Sequence, residues 1–504
     1  MPSFPGLVDH RRPEPYPFGP TSVADILDAG LAEHPDRIAL IDGDDSWTWS
    51  EVDTAVSLVA AGIEPGQLMW WALGNCAEQV IGMLATFRAA GVWIAASPKD
   101  AASRLPAMIE RLGPVTLIRS VKESDALVAG IHHTTEESSI DPAAPAVVMF
   151  TSGTTGNPKA VVHSQHNVLG PGLLSIELEP PAPGERIGTA LDLANANIAM
   201  LGPISALLRG STFVVMKRTF AAGLAADVAN FGVTRLFAVP TMIHDLVEQP
   251  VERDSFSTLD RIILGGGTAA PDVHSHFFNR YGVRPTLSYG MSEAPTGVVR
   301  ESLDDSIGSG RGFPLPHVDV SILDSAGSTL EQGVVGEICL RRARSGRWAN
   351  TWTGTLGYVG EPERTAELFR GGVLHTGDLG RLDADGALAV TGRLSDLIIR
   401  GGMNIDPVEL EQKLVATDAV REALVVGIPD ARLGQLVGAL IVLDETLFAC
   451  ADSLDLVELA MDLEEMSSVR LDAVAAVGSL PRNAMGKVIR VAPPDVFGPD
   501  TRLG

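Results

Sequence analysis

Cysteine is scarce in this chain. It holds three, Cys76, Cys339 and Cys450, far apart and without CxxC spacing, so neither a disulfide framework nor a thiolate metal site is expected, and reduced thiols in a cytoplasmic setting are the simplest reading. Long apolar runs are also missing: nowhere do eighteen apolar residues follow one another, and the opening MPSFPGLVDHRRPEPYPFGP has no apolar h-region. That argues against a membrane span and against a signal peptide. Positive charge is short too, with 38 Lys and Arg against 63 Asp and Glu and a formal charge of −25, which repels nucleic acid and anionic membranes at long range. A nucleotide is not excluded, because local loops and a metal govern its binding. Aromatic residues make up only 5% of the chain, whereas Gly numbers 52, Pro 33 and hydrophobic residues 45%; this composition fits a turn-rich α/β protein. A length of 504 residues exceeds what one core usually serves, so a large domain and a smaller one are expected.

The first twenty residues are rich in Pro and charge and read as an irregular lead-in along the surface. From Thr21 strand and helix patterns alternate. Asn75 to Ala90 places Val80, Ile81, Leu84 and Phe87 at helical spacing, the β-like Val92 to Ala95 follows, and Val233 to Val239 and Arg261 to Leu264 are short apolar runs ended by Pro or Gly. Such alternation predicts parallel sheets covered by helices. Beyond about Val318 the texture changes to short strands and Gly turns, and in LGRLDADGALAVTG the DADG between two alternating runs predicts a hairpin. A second change follows Arg393, after which a helical DPVELEQKLVA and the strand-like REALVVGI and LVGALIVLD indicate a small α+β module. The expected organisation is therefore a large α/β domain over 1–393, with a β-rich subdomain, and a small α+β domain over 394–504.

The most informative segment is Thr151 to Ser164, TSGTTGNPKAVVHS, preceded by AVVMF. Seven of its first nine residues are Thr, Ser, Gly or Lys, which supplies hydroxyls, unobstructed backbone N–H groups and an ammonium suited to a polyphosphate. The spacing is not that of a Walker A loop. Both flanks are strand-like, so the loop is expected to join two strands without a helix N-terminus to bind the anion. Five further segments follow in order. In Leu264 to Thr268, LGGGT, three glycines let a planar ligand lie against backbone. In Ser288 to Glu293, SYGMSE, an aromatic face, a hydroxyl and a carboxylate suit adenine, phosphate and Mg²⁺. His375 to Asp378, HTGD, offers a carboxylate acceptor for hydroxyls. Gly392 to Glu411, GRLSDLIIRGGMNIDPVELE, and Leu480 to Arg490, LPRNAMGKVIR, complete the series.

Together these segments, spread from about Thr21 to Arg490, resemble the adenylate-forming superfamily of acyl-CoA synthetases, adenylation domains and luciferases. The resemblance implies an ATP-dependent carboxylate–CoA ligase that forms an acyl adenylate, releases pyrophosphate and then makes a thioester, with ATP, Mg²⁺ and coenzyme A as its cofactors. It implies a phosphate loop of Thr151, Ser152, Gly153, Thr154, Thr155, Gly156 and Lys159. Gly265, Gly266 and Gly267 become the wall shared by adenine and acyl group, Tyr289 with Gly290 the adenine platform, Ser292 a phosphate contact and Glu293 the metal ligand. Asp378 becomes the ribose ligand and Arg393 a ribose or phosphate contact. Ser395 marks an inter-domain hinge, where the superfamily more often has Asp or Lys, and Gly401 and Gly402 lie towards the thiol tunnel. Lys487 becomes the catalytic lysine between the acyl carboxylate and the α-phosphate.

For the acyl pocket the resemblance points to Asn195, Asn197, Met200, Met242, Gly265, Gly290 and Met291. Ala194 and Asn195 stand where many acyl- and aryl-CoA ligases have an aromatic residue and His. Asn197 stands where amino-acid-activating relatives have Asp, and its lack of charge disfavours an ammonium-bearing substrate. A hydrophobic fatty or aryl monocarboxylate is expected. Loading of a carrier-protein phosphopantetheine and a catalytically silent nucleotide-binding homologue are the alternatives, and a homodimer is compatible with either.

Overall fold

The computed structural model describes residues 4–8, 13–129, 140–151, 159–265, 271–302, 310–417, 419–443, 469–482, 488–490, 496–497 and 501. Two compact units form, one of Met1–Val320 with Leu340–His375, the other of Ser321–Cys339 with Thr376–Gly504. Among the described residues no helix is long and apolar enough to cross a membrane.

The larger unit is built on two sheets with parallel cores. In one, the spatial order is Arg311–Pro314, Ala294–Arg300, Pro285–Met291, Arg261–Leu264, Arg235–Ala238, Arg186–Thr189, Thr212–Val215, Ile38–Asp42 and Asp45–Thr48. The pairs from Pro285–Met291 through to Ile38–Asp42 are parallel, with antiparallel strands flanking them. In the other, Val115–Ile118, Leu68–Trp71, Val92–Ala95 and Pro145–Thr151 run parallel, and Lys159–Ser164 and Gly357–Tyr358 add antiparallel strands at the far side. Continuous apolar runs such as VWIA and TFVV are buried at every position, as strands covered on both faces must be.

The helix Ala77–Arg88 falls inside the segment whose spacing predicts it, and Val92–Ala95 is the strand expected after it. Its contact with the sheet is close: a Cβ on Gly82 would lie 2.3 Å from the Trp71 ring, so glycine is required there. Burial of Trp70 and Trp71 leaves no indole unsatisfied, because Trp70 Nε1 donates to the Ala96 carbonyl and Trp71 Nε1 to Thr86 Oγ1, both at 2.9 Å.

The lead-in is less superficial than its composition suggests. Phe4 is buried in a cluster with Leu68, Trp70 and Val92, and Tyr16 stacks on His166 with ring centroids 4.1 Å apart. Three apolar anchors, Phe4, Tyr16 and Phe18, decide its path against the surrounding prolines and charges.

In the smaller unit Val420–Asp430 and Gly434–Leu443 form a long antiparallel hairpin, joined by Ile398–Arg400 with Met403–Ile405 on one side and by the parallel Ala473–Ala476. Helix Pro407–Val415, capped by Asp406, places Leu410 and Leu414 against Val425, Val437 and Ile441. DADG is the expected turn, between Leu374–Leu382 and Leu388–Arg393, with Gly386 at φ +87°. This unit has the α+β character that its sequence implies. Compactness places Ser321–Cys339 and residues 376–393 with it, whereas the change of sequence texture puts the boundary after Arg393.

Candidate active site

The phosphate-loop segment spans the gap between two antiparallel strands, Pro145–Thr151 and Lys159–Ser164, with Thr151 opposite Lys159 at its mouth. Ser152, Gly153, Thr154, Thr155 and Gly156 lie outside the described residues. The strand Gly357–Tyr358 pairs with the returning strand, and this brings a side chain that no motif marks between Lys159 and Glu293. Lys159 Nζ lies 5.0 Å from the centre of the Tyr358 ring, and the Tyr358 hydroxyl donates to Glu293 Oε1 at 2.7 Å. Burial, then the charge of Glu293 and the bond to it, push the Tyr358 hydroxyl well above the usual phenol range, so it stays a donor at neutral pH. Glu293 itself is buried. One phenol and one cation thus link the two segments that the sequence singles out for phosphate and metal.

Glu293 sits with Ser292 in the two-residue connection of a hairpin, Pro285–Met291 with Ala294–Arg300. Tyr289 and Gly290 end the first of these strands, half-buried and exposed respectively. A carboxylate has acceptor capacity beyond one phenol, so Glu293 retains oxygen for a hard cation such as the Mg²⁺ that accompanies ATP. Tyr358→Phe removes one hydrogen bond to a charged group and keeps the ring under Lys159. ATP–pyrophosphate exchange is expected to fall roughly 10- to 100-fold, with a raised Mg²⁺ requirement and an unchanged circular dichroism spectrum. Wild-type exchange in this variant would remove Tyr358 from the site.

A buried network fixes the hairpin tip. His163 Nε2 meets the Ser292 carbonyl at 2.7 Å, and the Thr355 N–H donates to the Glu293 carbonyl at 2.7 Å. Asn167 Nδ2 lies 3.4 Å from His163 Nδ1 and donates to the Gly354 carbonyl at 2.7 Å, and Thr353 Oγ1 donates to Asn167 Oδ1. A neutral ring facing a carbonyl must carry its proton on Nε2, which leaves Nδ1 to accept from Asn167.

Burial holds His163 and His166 down at about 4 and His317 at about 3, below the unfolded value of about 6.5. As pH falls through that window the unfolded chain takes up protons that the folded chain refuses. The contribution of these rings is therefore complete above about pH 6.5 and is lost towards pH 4. Each is expected to add about 1.4 kcal/mol per pH unit to the slope of stability against pH. Urea unfolding between pH 7 and pH 5 should show a slope shallower by about one proton in His163→Gln, whose amide still reaches the Ser292 carbonyl; parallel profiles would refute the assignment.

Of the glycine wall, Gly265 follows strand Arg261–Leu264, and a Cβ there would meet nothing within 4 Å. It therefore faces open space, while Gly266 and Gly267 lie outside the described residues. In the acyl segment Asn195 Oδ1 accepts from the Asn197 N–H at 3.0 Å and caps Ala196–Ala199. The helix then widens into a π turn, Met200–Ile204, containing Pro203, a distortion frequent at functional sites. Asn197 Oδ1 is buried without a hydrogen-bond partner. Met200 is fully buried, and Met242 packs in a core cluster with Ala190, Val214 and Leu236. Met291 is half-buried at the end of its strand. Asn75 braces the approach to this segment: its Nδ2 donates to the Leu191 and Met216 carbonyls at 2.9 and 3.0 Å, and its Oδ1 accepts from Leu193 N–H at 3.0 Å.

In the smaller unit Asp378 and Arg393 are direct cross-strand partners, with Arg393 Nε 2.9 Å from Asp378 Oδ1. The carboxylate is buried and the guanidinium half-exposed. Thr376 Oγ1 accepts from the Asp378 N–H at 3.0 Å and donates to the Ile338 carbonyl at 2.7 Å. Ser395 is exposed and bonds Asp396 at 3.0 Å. Gly401 and Gly402, at φ +59° and +89°, make the tight two-residue connection between Ile398–Arg400 and Met403–Ile405, a conformation that glycine adopts without strain. Lys487 lies outside the described residues. Its flanks are tied down: Arg482 bridges to Val488, and Arg490 reaches Asp396 at 3.2 Å, the Val425 carbonyl at 2.9 Å and the Glu411 carboxylate.

The larger unit carries a Gly- and hydroxyl-rich segment between two strands and a glutamate held by a phenol, and the smaller unit carries an acid–arginine pair; the class of protein is that of the nucleotide-dependent acyl-activating enzymes. The chain belongs to the AMP-binding enzyme family of the adenylate-forming superfamily: the AMP-binding enzyme description matches residues 27–346 and that of the AMP-binding enzyme C-terminal domain matches 409–487. It is similar to a feruloyl-CoA synthase from Amycolatopsis sp, 28% identical over 432 residues that cover 81% of this chain and 86% of that protein. It is also similar to the fatty acid–[acyl-carrier-protein] ligase ScoC of Streptomyces coeruleorubidus, 29% identical over 485 residues, 89% of this chain and 90% of the relative. Its fold matches ATP-bound MatB from Rhodopseudomonas palustris with a TM-score of 0.81 at 23% identity, over 93% of this chain and 97% of that one.

Proposed function

We propose that this enzyme activates a hydrophobic monocarboxylate, fatty or aryl, and that the residues described above carry the reaction. The enzyme is an AMP-forming acid–thiol ligase: it makes an acyl adenylate from ATP and a carboxylic acid, releases pyrophosphate, and passes the acyl group to coenzyme A. The observation that carries the site reading is the contact of Lys159 and Glu293 with the two faces of one residue, the ring and the hydroxyl of Tyr358.

Thr151, Lys159 and the loop between them grip the pyrophosphate portion of ATP. Glu293 would hold the Mg²⁺ that accompanies it, with Tyr289 under adenine and Ser292 towards the α-phosphate. Asp378 accepts from the ribose hydroxyls, with Arg393 fixing its orientation. Lys487 offsets the charge that builds as carboxylate oxygen attacks phosphorus, so positioning and charge neutralisation supply most of the rate. The chain then turns at Ser395, and the thiol tunnel, towards which Gly401 and Gly402 lie, takes the place of Lys487 at the acyl carbon.

The absence of a charged residue at Asn197 supports an acid without an ammonium group. Asn197 Oδ1, buried and unpartnered, supports an acyl group bearing one donor near the pocket wall. Similarity to ScoC along most of both chains favours one second reading, transfer to a carrier-protein phosphopantetheine. The deciding experiment is carboxylate-dependent exchange of labelled pyrophosphate into ATP over fatty, aryl, hydroxyaryl and amino acids, followed by thioester assays with CoA and with carrier protein. Exchange driven best by amino acids would overturn the substrate assignment.

A further inference from the structure

Away from these residues, the larger unit gathers four arginines around two glutamates. Glu179 Oε2 accepts from Arg235 Nη2 at 2.5 Å and lies 3.4 Å from Arg261 Nε, and its Oε1 lies 3.6 Å from Arg300 Nη1. Glu185 is held by Arg209 Nε and Nη2, at 2.7 and 2.6 Å, and by Ser211 Oγ at 2.5 Å. Arg235 is only 6% exposed, and its guanidinium hydrogen-bonds Glu179 through Nη2. Its Nε stands 3.6 Å from Glu185 Oε1, and Nε and Nη1 are buried without a hydrogen-bond partner, as are Nε and Nη1 of Arg300.

Glu179, Glu185, Arg235 and Arg261 line a cleft of about 200 Å³ with Thr234 and the exposed Asp260, roomy enough for several water-sized groups; Glu185 is engaged by Arg209 and Ser211. Burial raises the Glu179 carboxyl, yet Arg235, Arg300 and Arg261 outweigh it and leave it below the usual carboxylate range. Burial, and, against the pull of Glu179, the like charges of Arg235, Arg261 and Arg209, bring the Arg300 guanidinium down to about 10. Positive charge is thus in local surplus on a chain whose formal charge is −25. Buried guanidinium donors without acceptors are costly, and an anion that enters the cleft supplies the missing acceptors.

We propose that this cleft is a second anion site, for a doubly charged tetrahedral oxyanion, a phosphoryl or sulfuryl group, held by Arg235 and Arg261, with Arg300 behind Glu179. It is distinct from the nucleotide residues. Arg235 and Arg261 pair in register at the start of parallel strands, whereas Gly265 follows the opposite end of Arg261–Leu264, about 13 Å further along. Glu179 occupies part of the site as an internal competitor for the same guanidinium groups.

The test is calorimetric titration of the full chain in excess MgATP without acid, so that its nucleotide site is filled. The titrants are potassium sulfate, inorganic phosphate and glycerol 3-phosphate, with potassium chloride at matched ionic strength as the blank. Saturable binding is expected in the wild type. Arg261→Gln, which removes one charge-assisted bond at the cleft, should weaken it at least about tenfold. Glu179→Gln, which removes the competitor, should tighten it. Preference for glycerol 3-phosphate assigns the site to a phosphorylated metabolite, and preference for sulfate or phosphate assigns it to the free ion. No saturable binding beyond chloride, equal affinity in Arg261→Gln, or weaker binding in a folded Glu179→Gln would overturn the proposal; should Glu179→Gln not fold, Arg261→Gln decides alone.

Discussion

Lys487→Ala is expected to lower carboxylate-dependent ATP–pyrophosphate exchange by about 10²- to 10³-fold, the usual loss when one charge-stabilising donor is removed from a reacting centre. Conversion of a supplied acyl adenylate to its CoA thioester should keep its wild-type rate. Two anions combine in the first half-reaction, so a cation at the reacting centre matters most as carboxylate oxygen meets the α-phosphorus. In the second a thiolate attacks a carbonyl and AMP leaves, and the rotation model removes Lys487 from that centre. The bonds of Arg490 to Asp396, Glu411 and the Val425 carbonyl, with the Ile489 N–H on the Pro481 carbonyl at 2.8 Å, brace both sides of the Lys487 segment against the small unit's own sheet. The substitution therefore removes a charge without loosening its support. Measuring both half-reactions on one preparation is the check: equal loss in both would rule out the alternation of domains.

What the sequence made legible follows from the range of the forces involved. Parallel strands buried on both faces must be apolar throughout, so VWIA and RIIL announce themselves, and the strand–loop–strand setting of the phosphate segment follows from its β-branched flanks. Capping and turn chemistry are equally local, as at Asp406 and the DADG turn. Tyr358 is a different case. It lies 65 residues from Glu293 in TLGYVGEPERT, a string with no periodic or compositional mark, and its importance arises only when its strand pairs with Lys159–Ser164. His163 stands inside the quoted loop segment, but its role depends on the Ser292 carbonyl, 129 residues away. Asp378 and Arg393 stand in separate sequence segments, and only the register of the hairpin makes them partners. The lead-in is irregular, as its Pro and charge imply, while Phe4 and Tyr16 anchor it through contacts that composition does not show.

Glu293→Gln is the second substitution with a large expected effect. It keeps the shape of the side chain and an oxygen for the Tyr358 hydroxyl while removing the negative charge, so the hairpin, held through the Thr355 N–H on the Glu293 carbonyl, should keep its stability. A neutral amide is a poor ligand for Mg²⁺, whose preference is for charged, hard oxygen. Pyrophosphate exchange is expected to fall by about 10²-fold or more, comparable with loss of a major electrostatic group in other active sites, with a higher Mg²⁺ concentration needed for half-maximal rate. If Tyr358 serves the metal through the Glu293 carboxylate that its hydroxyl bonds, the two substitutions should not add: placed on a Glu293→Gln background, Tyr358→Phe should cost far less than its own roughly 10- to 100-fold. A double-mutant cycle in exchange rate, read at several Mg²⁺ concentrations, separates the possibilities. Additive losses would mean that the phenol serves Lys159 or the ring stack rather than the metal, and an unchanged Mg²⁺ requirement in Glu293→Gln would place the metal elsewhere.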